Sequence, residues 1–243
     1  MPPLESAGES TSVEPVRSLD DPRALQILST EHWSLLGTRS LAYNEAFTRG
    51  GMFLMFLSTS FVALALLAQA MSFTDQFLTV AAVVLAFDLV IGLTTCGRIN
   101  GANLDDLHAI QGMARIRHGY VQIAPIVAPY FTHPTHDDVD SVLTTYGSLP
   151  SSGLSTALYA LTTSLGMIGL ITSMVGGVLT AVLGMILGAS AALAVWIGVG
   201  GAVLVFVAIA ALTGRLILRT QAALTVRFPA PDGEGATEPP AVG

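Results

Sequence analysis

Lysine is missing from this chain, cysteine occurs once, and charge of either sign is scarce. Each absence excludes something. With Cys96 alone there is no intramolecular disulfide and no zinc or iron–sulfur site built on cysteines. Its place at the end of a hydrophobic stretch reads as a small buried apolar residue. Charged residues make up 11% of the 243 positions, against roughly 25% in a soluble domain, so a water-soluble globule is not the expectation. Catalytic signatures are missing too: no phosphate loop, nucleophile elbow, HExxH or dinucleotide fingerprint occurs, and GxxxG at 184–188 marks helix packing only. The chain is therefore expected to be no enzyme, to use no cofactor and to bind no nucleic acid.

What is present is long uncharged sequence. No charged side chain occurs from Ser141 to Gly214, nor from Gly50 to Thr74, and Gln76 to Gly97 is broken only by Asp88. A helix crossing the hydrocarbon core needs about 20 mostly apolar residues. The first of these runs allows two helices joined by a turn and the others one each. The expected fold class is all-α: a polytopic membrane protein, a bundle of four transmembrane helices with cytosolic helical extensions. Residues 1–28 lack a basic n-region and an apolar h-region, so no cleavable signal peptide is expected and the first span serves as the insertion signal.

Arginine placement orients the chain. Arg39 and Arg49 precede span one, Arg98, Arg115 and Arg117 follow span two, and Arg215 and Arg219 follow span four. The connections near 71–76 and 183–189 hold no basic residue. The positive-inside rule puts both termini and the central segment in the cytoplasm of a multi-pass protein of the inner, or plasma, membrane. The expected organisation is a disordered tail at 1–28, a cytosolic helix at 29–49, spans one and two within 50–97, a cytosolic helical segment at 98–154, spans three and four within 155–213, and a cytosolic tail at 214–243, disordered from about 228.

Ser29 or Thr30 is expected to cap the first helix, with Glu31 in its first turn. That helix runs without proline into span one. Span two is expected to continue some five turns into the cytosol, with Pro125 and Pro129 ending it. Thr135 followed by Asp138 resembles a capping box opening a short helix, "HDDVDSVLTTY", that stops at Gly147 and packs with the helix at 30–49.

Asp88 lies in the middle of "VVLAFDLVIGL", on one face with Gly92 and Thr95. A charged aspartate there costs roughly 2.5–3.5 kcal/mol on insertion scales. Three readings stand side by side: a protonated structural carboxyl bonded to Ser58, Thr59 or Ser60 of span one, a proton or cation site, and a subunit contact. Span three carries small residues at steps of three and four, Thr162, Gly166, Gly169, Ser173, Gly176 or Gly177, Thr180 and Gly184, and span four answers with Ala191, Ala194, Gly198, Gly201, Ala208 and Ala211. Such faces let backbones approach in lipid. A tight antiparallel pair, a homo-oligomer contact and a pore lining are the three readings here.

Two polar clusters lie in the central segment. "RIRHGY" supplies Arg115, Arg117, His118 and Tyr120, candidates for contact with a protein partner or lipid, with the arginines expected to pair with Glu31 or Glu45. "FTHPTHDDVD" supplies His133, His136 and Asp137, the weak metal candidates, although a proline turn separates the two histidines and the aspartates suit a helix start. The expected partners are the lipid bilayer, a protein at the cytosolic face and a second copy of the chain. The leading functional expectation is a non-enzymatic scaffold or regulatory protein. The alternative is a small oligomeric channel or transporter using Asp88.

"EHWSLLGTRSLAYNEAFTR" and "GMARIRHGYVQIAPIVAPYFTHPTHDD" resemble a group of uncharacterised actinobacterial integral membrane proteins. Their pattern has a His-Trp-Ser-Leu-Leu start, a Gly-Met-Asn-Arg-Ile/Leu-Arg-His-Ala-Tyr core and a Pro-Tyr-Phe plus Asp-Asp stretch. The resemblance covers about residues 31–150. Ala114 stands where the pattern has asparagine, and "APIVAP" is less acidic than usual. The resemblance implies the membrane architecture and no chemistry.

Overall fold

A computed structural model describes residues 16–72, 74–145 and 161–231. These contain five α-helices, α1 (Pro22–Met71), α2 (Asp75–Ile123), α3 (Val139–Thr144), α4 (Ser164–Ile186) and α5 (Ala191–Ala223), plus a 3-10 turn over Pro125–Tyr130. Helices 1, 2, 4 and 5 are each long and apolar enough to cross a membrane. No strand occurs among the described residues.

The α1 helix starts earlier than Ser29. Asp21 is its N-cap and accepts from the Arg23 amide, with Pro22 in the first turn. An aspartate cap followed by proline is a strong start signal, because the missing proline N–H is one the helix end leaves unpaired anyway. Thr30 is already inside, its hydroxyl donating to Gln26 O at 2.8 Å. From there α1 runs 50 residues without a break. It ends at Ser72, whose φ of 55° turns the chain out of the helix. Thr74 then caps α2 by accepting from Phe77 N. At about 1.5 Å per residue, each of these two helices is about 75 Å long, over twice a bilayer core of about 30 Å. They form an antiparallel hairpin, and its half remote from Met71 and Asp75, residues 22–49 against 98–123, is the extension.

At Ile123 α2 stops because Pro125 cannot continue it, and the chain turns through a 3-10 segment that carries Pro129. The cap of α3 is Asp138 itself, accepting from Ser141 N at 3.1 Å, and not Thr135. Carboxylate geometry directly ahead of "VDSVLT" outcompetes the more distant threonine. The expected stop at Gly147 lies outside the described residues. Val142 of α3 is fully buried against Leu107, Ile110 and Met113 of α2, with Leu35 of α1 and Leu224 at the edge.

A tight turn joins α4 and α5. Gly188 at φ +88° takes the left-handed position that ends α4, while Leu187 N and Ala189 N bond back to Leu183 O and Gly184 O. Ser190 caps α5. The close pairings run α1 with α2, α2 with α4, and α4 with α5. The α2 helix thus lies against both α1 and α4, and α5 packs on α4. Phe53, Leu57, Leu85, Ile168 and Val175 fill the joint between α1, α2 and α4. The last helix buries only Ala194 and Gly198. Its other faces present Val195, Trp196, Val199, Val203, Leu204 and Val207, an apolar surface suited to lipid.

Candidate functional site: charged layers in the hairpin extension

The polar side chains of the hairpin fall in layers. Deepest in the apolar half is Asp88, with no exposed surface. Ser60 Oγ donates to Asp88 Oδ1 at 3.0 Å, while Oδ2 has no partner. Gly92, one turn on, lets Thr172 of α4 come close: a Cβ there would meet Thr172 Oγ1 at 2.6 Å. Asp88 is therefore sealed at the joint of α1, α2 and α4.

The small residues of α4 and α5 face each other across one seam. A Cβ on Gly177 would lie 2.7 Å from Gly198 O, one on Gly176 2.9 Å from Val205, and one on Gly201 inside Thr180. Gly169 faces Ile209, and Ser173 is buried and bonds to Gly169 O. Gly166 sits in the first turn of α4, where its N–H is capped by Thr163.

Where the apolar half gives way to the extension, Glu45 bridges Arg98 at 2.6 Å and Arg49 at 3.0 Å. These hydrogen bonds, Arg98 first, hold the Glu45 carboxyl down at about 2. Further along, Asp106 is buried and accepts from Arg39 Nε, from Arg39 Nη2 at 3.2 Å and from Tyr43 at 2.9 Å.

The next layer joins three separate parts of the chain. Asp137, with no exposed surface, accepts from Arg115 Nε at 2.7 Å, from Arg227 N at 3.0 Å and from Phe228 N at 2.7 Å. Burial pushes its carboxyl up, but Arg115 and the two amides outweigh that and hold it below the ordinary carboxylate value. Gln111 donates to Asp137 O and Thr225 O, both at 3.1 Å. Arg115 also donates to Thr225 O. His118 stacks on Phe228, ring centroids 4.2 Å apart, and its Nε2 accepts from Gln122 Nε2 at 3.1 Å. Residues 224–231 thus form a strap across α2, held by Asp137 and His118.

Arg117, on the neighbouring side of α2, is 7% exposed and donates to Pro134 O at 2.9 Å. Neither arginine of "RIRHGY" pairs with Glu31 or Glu45, because Glu45 is taken by Arg49 and Arg98 and the 133–138 loop lies nearer. Tyr120 stacks with His32 at 6.0 Å and with Phe131 at 6.4 Å. His136 tilts against His118. His133 is exposed beside Pro134. No group of three His, Cys, Asp or Glu side chains among the described residues is arranged to hold a metal ion, and Asp137 is already committed to Arg115 and the strap.

The residues that sequence reasoning missed are Arg39, Tyr43, Asp106, Gln111 and Thr225. Arg39 and Tyr43 stand one helical turn apart, a spacing that could have pointed to a shared acceptor on α2. Asp106 reads as a surface acid in a sequence pattern, because an amphipathic helix buries one face only. The helix is covered on two sides, by α1 and by the loop with α3 and the strap.

Comparison with protein families, curated proteins and solved structures returns no match to this chain.

Proposed function

We propose that this chain is a multi-pass protein of the cell's inner membrane that works without catalysis, as a scaffold or regulator whose hairpin extension binds a protein partner in the cytoplasm. The arginines that cluster at the extension and in the last turns of α5 and beyond it, and their absence from the two opposite turns, support that orientation. Trp196, 73% exposed near the start of α5, suits the opposite interface. The actinobacterial resemblance is in keeping with this assignment.

The observation that carries the partner reading is the outer side of α1 in the extension. Trp33 is 69% exposed and Phe47 64%, with Leu36 and Leu41 beside them. At about 100° per residue these four lie on one side of the helix, opposite Leu28, Leu35, Ala42 and Ala46, which face α2. Trp33 lies 16 residues before Arg49, about 24 Å along the axis, so the bilayer does not cover it. Exposed apolar side chains gathered on one face, with Trp33, Leu36 and Leu41 beyond the lipid, mark an interaction surface.

A photo-crosslinking residue at Trp33 or Leu41, with Leu35 as inward control, tests this in intact cells. One discrete adduct at the outer positions, larger or smaller than a dimer, supports a distinct partner. An adduct only with a second copy makes the surface an oligomer contact, and none at all overturns the reading.

The second reading, a small oligomeric channel or transporter, is favoured by one observation: the unpartnered Oδ2 of Asp88. An intramembrane carboxyl is a functional candidate by default. Proton flux in liposomes that vanishes in Asp88→Asn, with the variant folded, would replace the scaffold reading.

A further inference from the structure

Arg117 is more than nine-tenths buried, yet among the described residues its guanidinium has a carbonyl, Pro134 O, and no carboxylate. An arginine does not escape burial by losing its proton, and a buried charge is normally paired. One of its five N–H groups is used by Pro134. What surrounds it adds positive charge. Leu28 abuts Gly119 and Leu35 abuts Gly112, which places Arg117 level with Thr30 of α1, about half a helical turn from His32. The Nδ1 atom of His32 is buried without a partner. The bond to Pro134 brings the adjoining His133 to the rim of the same place. Arg39 stands on α1 in the same region, paired with Asp106 through two hydrogen bonds, and adds its field to that of Arg117. Burial first, then Arg117, pushes the His32 imidazole below its ordinary value. Partial burial, then Arg117 and Arg39, does the same to His133. The groups therefore share one field, and all of them are cations or become cations on protonation.

We propose that His32, Arg39, Arg117 and His133 form a binding site for a phosphate group on a soluble ligand, with Arg117 as its central contact. The planar guanidinium fork matches phosphate oxygens. Two imidazoles that gain protons beside a dianion match its second charge. The same chemistry exists on lipid headgroups, but Arg117 is nineteen residues beyond Arg98, the first charge after the apolar stretch. That is about 28 Å along α2, several Debye lengths of about 8–10 Å from the bilayer surface. The soluble source is therefore the one the geometry favours. This site is independent of the partner surface on the outer side of α1.

The test is calorimetric titration of the full chain in zwitterionic nanodiscs with inorganic phosphate, beside Arg117→Met and Arg215→Gln. Arg215 is exposed on α5 outside the cluster. The expected result is binding in wild type and in Arg215→Gln, weakened about tenfold or more in Arg117→Met, a loss of at least about 1.4 kcal/mol. Methionine replaces the buried charge with an apolar chain of similar length, so the variant is expected to stay folded, which circular dichroism checks. Binding should tighten as pH falls into the lowered range of the two imidazoles, below their ordinary 6.5, where they take up protons with the ligand. No wild-type binding, or equal binding in Arg117→Met, overturns the site. Binding in zwitterionic discs that disappears in discs rich in anionic phospholipid overturns the soluble source in favour of a headgroup.

Discussion

Asp137 and Phe228 hold each other twice. The Phe228 amide donates to Asp137 Oδ1 at 2.7 Å, and the Asp137 amide donates back to Phe228 O at 3.1 Å. Ninety-one positions separate them, so this reciprocal pair ties the chain after α5 to the loop after α2.

Asp137→Asn should release that strap. The amide keeps one acceptor but brings an N–H₂ against the Arg115, Arg227 and Phe228 donors, at a cost of about 1–3 kcal/mol. Hydrogen exchange at 225–228 should quicken while the α4–α5 seam is unchanged. Low pH should act the same way. The folded carboxyl titrates below its ordinary 3.8, so its stabilisation is complete above that value and is lost as pH falls through the folded one. Pepsin should therefore cut the strap more readily with each step of acidification below 3.8.

Glu45 gives a separate acid signature. With its carboxyl held at about 2 against an ordinary 4.5, its contribution is present above 4.5 and fades as pH drops towards 2. A carboxyl-carbon NMR titration should show this group changing last among the glutamates, and Arg98→Gln should move it back up.

The α4–α5 seam separates glycines that touch from glycines that do not. Gly177→Ala forces a Cβ to 2.7 Å from Gly198 O and 2.8 Å from Ala202, whereas Gly200 has nothing within 4 Å. Thermal unfolding in detergent should show Gly177→Ala destabilised by about 1–3 kcal/mol and Gly200→Ala unchanged or slightly improved. Equal effects would mean that the seam is looser than it stands here.

Asp88→Asn should retain the Ser60 bond through its amide oxygen, leaving stability within about 1 kcal/mol of wild type. Ser60→Ala should cost about 0.6 kcal/mol, the average for such bonds within a membrane. A far larger loss in Asp88→Asn, measured by the same unfolding assay, would show that the carboxyl's second oxygen has a role that an amide cannot fill.

The local features were readable because they depend on near neighbours. Four long apolar helices follow from uncharged runs of sufficient length, the end of α2 from Pro125, and the facing of α4 and α5 from small residues at helical spacing. The start of α1 lies at Asp21, eight residues before Ser29, where the local signal is an aspartate cap ahead of Pro22. Asp106, Gln111 and the strap were not readable, since each is defined by a partner distant in sequence: Arg39 lies 67 positions from Asp106 and Thr225 lies 114 from Gln111.

The sequence by itself determined the helical class, the apolar lengths and the stops, because the cost of exposing or burying a side chain is set residue by residue. Tertiary structure alone decided that α2 is packed between α1 and α4, that Asp137 binds the strap instead of standing free, and that Arg117 is buried beside other cations. Those outcomes depend on which surfaces of α2 are covered and by what. A single helix offers several faces, and only packing chooses among them.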